Sequence, residues 1–234
     1  MLVLAFDTAT PVGSVALVDD EKILVSRYFD VGLQHSQRLF VEIEEALATA
    51  DCTFAEVDAV SVTKGPGSFT GLRIGMSTAK GLCLARNLTL VTVSTLESLA
   101  ARLPYARYPV CTMLNARKSQ VYTALYDTGD GYPQKLDPPR AVEPAVVLAE
   151  RDGTPTIYTG DGVDAYSELV AQCAQAVLAP NACARPEAGI VGWLGLRKLK
   201  AGESEDAATV EPEYLRGPDI KVGKHPLASD GIRS

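Results

Sequence analysis

The sequence has few of the residues that catalytic and metal sites most often use. It contains two histidines, His35 and His225, and five cysteines with no Cys-x-x-Cys pair. The histidines lie too far apart for a helical His-x-x-x-His metal pair, and no Ser/His/Asp or Cys/His constellation can be assembled from them. The cysteine spacing indicates reduced core thiols in a cytosolic protein. No metal site or catalytic residue is therefore predicted.

The chain also lacks an excess of basic residues and a long apolar run. Its 22 Lys and Arg residues against 29 Asp and Glu residues give a net charge of −7. This negative net charge argues against a protein that binds nucleic acid by itself, because neutralising the phosphates needs a basic face. No apolar run is long enough to cross a bilayer, and no basic region precedes Asp7. We therefore expect a cytoplasmic protein with no membrane contact.

What the sequence does contain is apolar patterning, since 47% of its residues are hydrophobic. In the first half, the patterning predicts strands at 2–6, 14–18 and 22–27, a helix at 36–50, a strand at 57–62, a helix at 72–86 and a strand at 89–93. In the second half, it predicts strands at 109–114, 120–126 and 135–142, a helix at 144–150, a strand at 156–159 and a helix at 165–177. A further helix is predicted over 186–200. The same order of strands and helices therefore occurs in both halves of the chain.

A glycine-rich stretch, residues 64–75, joins a predicted strand to a predicted helix with the sequence KGPGSFTGLRIG. Free backbone N–H groups and the helix dipole can hold phosphate at such a turn. The known motifs nevertheless fail when counted. A Walker A loop would need glycine at Thr70 or Leu72, and in the dinucleotide fingerprint the third glycine, Gly71, comes one residue late. A structural turn and a phosphate site both remain open at this point.

Four segments carry a resemblance to a known family. They are LAFDTAT at 4–10, the stretch 63–75, the hairpin with Asn115-Ala116-Arg117 and Val121-Tyr122, and PEYLR at 212–216. They occur in the family order and extend the match to about residue 216. In these segments the chain resembles the TsaB family, bacterial accessory proteins for threonylcarbamoylation of the adenosine beside the tRNA anticodon.

The repeated element order and the resemblance imply an α/β, two-lobed actin-like ATPase (ribonuclease H-like) fold built from a duplicated β-β-β-α-β-α unit. We expect an N-terminal lobe at 1–105, on which the helix at 186–200 could pack back, and a C-terminal lobe at 106–216. The tail at 217–234 is rich in Gly, Pro and Lys, and we expect it to be mobile.

The function that the resemblance implies is that of a non-catalytic subunit. It would dock onto its paralogue TsaD, the transferase that forms N6-threonylcarbamoyladenosine in tRNA, and would form a homodimer when TsaD is absent. A TsaE-type ATPase would join through the complex, tRNA would be contacted only indirectly, and ATP or ADP could bind at the complex with TsaD. The alternative is an independent ATPase or small-molecule kinase of the same fold.

Two sets of residues follow from the resemblance. The candidates for a degenerate nucleotide cleft are Asp7, Thr8, Thr10, Ser14, Gly65, Gly67 and Ser68. The candidates for a partner or dimer interface are Leu39, Phe40, Ile43, Leu47, Leu72, Arg73, Met76 and Ala79. Relatives tend to carry an aspartate where this chain has Asn115, which weakens the case for an enzyme because asparagine supplies no charge to a metal. A small-residue row (Gly71, Gly75, Ala79 and Cys83) allows close approach either of a partner helix or of the chain's own sheet or neighbouring helix. If a partner packs there, Met76→Glu is expected to disrupt the contact.

Overall fold

The structure, a computed structural model, describes residues 1–20, 22–30 and 35–216. The tail at 217–234, for which the sequence predicts mobility, lies outside these residues. The strands are β1 (Val3–Asp7), β2 (Val12–Val18), β3 (Ile23–Asp30), β4 (Ala59–Gly65), β5 (Thr89–Ser94), β6 (Val110–Arg117), β7 (Gln120–Asp127), β8 (Gln134–Val142), β9 (Thr156–Thr159) and β10 (Ala176–Leu178). The α-helices are α1 (His35–Thr49), α2 (Phe69–Arg86), α3 (Thr95–Ala101), α4 (Pro144–Glu150), α5 (Asp161–Ala165), α6 (Ser167–Val170) and α7 (Ala188–Lys200).

The strands form two five-stranded sheets with the same topology. The first sheet has the order β3-β2-β1-β4-β5, and the second has the order β8-β7-β6-β9-β10. In each sheet, the three strands that come first along the chain pair antiparallel with their neighbours. The two later strands, β4 and β5 or β9 and β10, run parallel to β1 or β6. The duplicated unit predicted from the element order is confirmed, and this is the topology of the actin-like ATPase fold.

The first sheet is covered on both faces by helices. Leu4 and Phe6 lie in one apolar cluster with buried residues of α1 and α2. On the other face, α7 lies so close to the sheet that Gly192 faces Ala5, and Ser61 Oγ donates a hydrogen bond of 2.8 Å to the Val191 carbonyl. Helix α7, the last helix within the described residues, therefore packs on the first sheet. The lobe boundary between residues 105 and 106 stays a prediction.

Two parts of the predicted order are wrong. The helix predicted over 165–177 is replaced by the short helices α5 and α6 and the edge strand β10. Helix α3 is not predicted, and it lies between the two sheets, where Leu96 and Leu99 pack with Tyr126 of the second sheet. None of the helices in the described part of the chain is long and apolar enough to cross a membrane.

Candidate functional site

The candidate site lies where β1 and β4 end. These two strands are parallel neighbours, with Phe6 opposite Val62. Their carboxyl ends therefore meet at one edge of the sheet, which is where open α/β sheets bind ligands. The turn after β1 (residues 8–11) faces residues 65–71, which run from the end of β4 into the first turn of α2 and are here called the glycine-rich loop.

Asp7 is the only acidic group among the predicted cleft residues, and its side chain is fully buried. Its Oδ1 accepts hydrogen bonds from Thr63 Oγ1 at 2.6 Å and from the Ala9 N–H at 3.3 Å. Its Oδ2 has no hydrogen-bond partner within the described residues. Burial raises the pKa of Asp7 to about 6, although the bond from Thr63 acts in the opposite direction. Asp7 therefore holds the turn together and leaves one buried oxygen unsatisfied.

The loop glycines allow the chain to pack on itself. A Cβ on Gly67 would lie 2.5 Å from the Ala9 carbonyl oxygen, and one on Gly71 would lie even closer to the Thr8 carbonyl oxygen. The Ser68 N–H donates to the Ala9 carbonyl at 2.7 Å, and Thr8 Oγ1 donates to the Gly71 carbonyl at 2.7 Å. The turn after β1 is thus in direct contact with this loop and is hydrogen-bonded to it.

Three hydroxyl groups predicted to line the cleft are also engaged by the chain itself. Thr10 Oγ1 donates to the Val12 carbonyl at 2.8 Å, and the Ser68 hydroxyl caps α2 by accepting the Gly71 N–H at 3.3 Å. The prediction for Ser14 is wrong, because its fully buried hydroxyl accepts the Ala188 N–H at the start of α7 at 2.9 Å.

The second sheet carries a counterpart that sequence reasoning missed. Asp161, the first residue of α5, accepts the Asn115 N–H at 2.9 Å, and burial raises its pKa. Asn115 Oδ1 in turn accepts the Arg117 N–H at 2.9 Å. Asn115 therefore organises the β6–β7 turn, and Asp161 is the carboxylate next to it. The signal in the sequence is the Gly-Asp-Gly that directly follows β9. The described residues contain no group of three or more His, Cys, Asp and Glu side chains placed to hold a metal ion.

Most of the predicted interface lies in the chain's own core, so that part of the prediction is wrong. Six side chains are at most 8% exposed because the apolar stripes of α1 and α2 face the first sheet and each other. These residues are Leu39, Ile43, Leu47, Leu72, Met76 and Ala79. The row of small residues on α2 is also turned inward, since Gly71 and Gly75 pack against Thr8.

Two of the predicted interface residues do reach the surface. Phe40 is 48% exposed on α1, and its neighbour Val41 is 41% exposed. Arg73 is exposed on α2, with its guanidinium carbon 4.4 Å from the centre of the Phe69 ring. An exposed pair of large apolar side chains next to each other on α1 is the part of this surface that a partner could cover.

Comparison with known proteins identifies the family. Residues 30–224 match the family described as "TsaD: tRNA N6-adenosine threonylcarbamoyltransferase". The TsaB protein of Bacillus subtilis is 28% identical over 92% of this chain and 94% of its own length, and that of Escherichia coli is 30% identical over 92% and 95%. The chain belongs to the TsaB family.

The fold agrees with this assignment. The structure titled "YeaZ from Pseudomonas aeruginosa" superposes with a TM-score of 0.80 at 29% identity, over 92% of this chain and 99% of that one. TsaB proteins are named for tRNA threonylcarbamoyladenosine biosynthesis. Membership of the family, within the actin-like ATPase superfamily, places the chain in this biosynthesis.

Proposed function

We propose that the chain is a non-catalytic subunit that docks onto TsaD and supports the formation of N6-threonylcarbamoyladenosine in tRNA. The observation that carries the proposal is the packing of Gly67 and Gly71 against Ala9 and Thr8. A glycine-rich turn that enters a helix can hold phosphate only through backbone N–H groups that are free. Here the Ser68 N–H is bonded to the Ala9 carbonyl, which favours a subunit that acts through its surface.

The docking surface is proposed to be the outer face of α1 and α2. Phe40 and Val41 supply exposed apolar area on α1, and Arg73 on α2 supplies a positive charge for a partner carboxylate. In the absence of TsaD, the same face would join two copies of the chain. A TsaE-type ATPase would join through the complex, and tRNA would be contacted only indirectly. ATP or ADP could bind at the complex with TsaD, and the complex would act in the cytoplasm.

Phe40→Glu should abolish co-purification with TsaD, because it places a charge in the apolar centre of the proposed contact. The matched control is Leu136→Glu, which changes a residue of similar exposure, 50%, on edge strand β8 of the second sheet. Affinity capture of tagged TsaD with each variant measures the effect. Met76→Glu is not a suitable test, because Met76 is 2% exposed and a charge there would unfold the core.

Unchanged capture of Phe40→Glu, with a melting temperature equal to that of the wild type, would contradict the proposed surface. Loss of capture with Leu136→Glu as well would contradict its location on α1. Since both substitutions are at exposed positions, we expect both variants to fold.

An independent ATPase or kinase activity is the second candidate function. The observation that favours it is Asp7 Oδ2, a buried carboxylate oxygen with no partner in the described residues. A buried group whose pKa is raised by desolvation is a frequent feature of active sites. Micromolar nucleotide binding with turnover by the isolated chain would favour this candidate over the docking subunit.

A further inference from the structure

Residues 210–216, here called the strap, lie across the glycine-rich loop that follows β4. The Glu213 N–H donates to the Lys64 carbonyl at 2.7 Å, and Glu213 Oε2 lies 3.8 Å from Lys64 Nζ. The Glu213 carbonyl approaches Gly65 so closely that a Cβ on Gly65 would lie 2.5 Å from it. Gly65 also has a φ of 123°, which L-residues with a side chain rarely adopt. This glycine is therefore matched to the chain's own C-terminal segment.

Two further contacts attach the strap to helix α2. Lys80 Nζ donates to the Val210 carbonyl at 2.9 Å. The Tyr214 ring packs on the Phe69 ring, with a distance of 4.9 Å between the ring centres. The strap is thus held along α2 as well as at the end of β4, and all of these contacts belong to the first sheet and its helices.

The far end of the strap is bonded to the second sheet. Arg216 Nη1 lies 3.2 Å from the Ala116 carbonyl oxygen and 3.2 Å from Gln120 Oε1, one on each side of the β6–β7 turn. The turn itself has three consecutive residues with left-handed φ angles: Arg117, Lys118 and Ser119. Because such residues rarely hold this conformation unaided, a bond across the turn fixes its shape.

The two halves are also in contact through α7. The ring of Tyr132, in the segment between β7 and β8, stacks on Trp193 with ring centres 4.9 Å apart. Arg197 covers the Tyr132 ring, with its guanidinium carbon 3.6 Å from the ring centre. This contact involves none of the strap residues. It should therefore persist if the strap detaches, which makes it an internal reference.

We propose that the strap ties the β6–β7 hairpin to the glycine-rich loop and holds the hairpin in one position relative to the first sheet. The chain then presents α1, α2 and the hairpin as one rigid body, and the hairpin cannot move away from the loop until Arg216 releases it. The proposal concerns the free chain, so its test does not depend on any contact with TsaD.

Hydrogen exchange of the free full-length protein, followed by mass spectrometry, tests the strap. In Arg216→Ala and in Tyr214→Ala, the amides of residues 115–120 and of Glu213 should exchange at least about tenfold faster than in the wild type. Exchange in β1 and β4 and at the amides of Gly131 and Tyr132 should stay unchanged. The matched control is Arg107→Ala, because Arg107 is an exposed arginine that stacks on Tyr108 and has no contact with the strap.

Two results would overturn the proposal. One is wild-type exchange of residues 115–120 in both variants. The other is faster exchange that is uniform over both sheets, which would indicate a general loss of stability. The two variants remove different contacts, that of Tyr214 with Phe69 on α2 and that of Arg216 with the β6–β7 turn. The proposal therefore remains testable if one variant fails to fold, and a melting curve identifies that case.

Discussion

Replacing Gly71 with alanine should lower the free energy of unfolding by about 3 kcal/mol, in the absence of any nucleotide. The added Cβ would overlap the Thr8 carbonyl oxygen, which belongs to a turn that Asp7 holds in place through the Ala9 N–H. Backbone atoms fixed in this way cannot yield as the far end of a flexible side chain can. Urea denaturation of the purified chain measures the effect.

Gly81 provides the matched control on the same helix. No atom lies within 4 Å of the position of its Cβ. Gly81→Ala should therefore raise the free energy of unfolding by about 0.5–1 kcal/mol, because alanine favours the helix over the unfolded chain. If Gly71→Ala behaved like Gly81→Ala, the loop would not be packed on the turn after β1. Its glycines would then be free for a phosphate group.

Asp7→Asn should change how stability depends on pH. Relative to the wild type, the variant should gain about 2 kcal/mol in the free energy of unfolding between pH 4 and pH 7. Asparagine keeps a carbonyl oxygen that can accept the bonds from Thr63 and Ala9, and it carries no charge that burial would penalise. Urea denaturation of both proteins at several pH values across this window gives the difference.

The sign follows from the raised pKa of Asp7. The folded state releases this proton at about pH 6, whereas the unfolded chain releases it near 3.8, the ordinary pKa of an aspartate. Between these values the folded state binds more protons than the unfolded state. The free energy of unfolding of the wild type therefore falls as the pH rises through this window, and the asparagine variant lacks that loss.

Asp20→Asn is the control for this experiment. Hydrogen bonds from Lys200 and the N-terminal amine lower the pKa of Asp20 to about 2, so this residue adds stability that is lost only as the pH falls below the ordinary aspartate range. Its difference from the wild type should be nearly constant from pH 5 to pH 7. A difference for Asp7→Asn that is also constant over this range would contradict the buried, unsatisfied state of Asp7.

The order of strands and helices could be predicted from the sequence because elements of ordinary length show a regular spacing of apolar residues. Helix α3 shows no alternation of apolar and polar faces, since every residue of it except Glu97 is buried. Strand β10 has three residues, which is too short for alternation, so Val177 was assigned to a helix. The elements that were missed are those whose burial or length removes the pattern.

The candidate site could be located from the sequence but could not be interpreted. The glycine-rich loop stands out, yet the atoms that its glycines approach belong to Thr8, Ala9 and Glu213, which are far away in the sequence. The interface prediction failed for a related reason. An apolar stripe has the same spacing whether it faces the core, as Ile43 does, or a partner. Only the fold distinguishes the two, and it leaves Phe40 outside.

Reconstituted modification of tRNA by TsaD and the other components is the measurement that tests the central claim most directly. With the wild-type chain or Asp7→Asn, threonylcarbamoyladenosine should form at similar rates, because the chain contributes no catalytic group. Without the chain, or with Phe40→Glu, formation should fall to background. Loss of modification with Asp7→Asn in a complex that still assembles would contradict the claim and identify Asp7 as part of an active site.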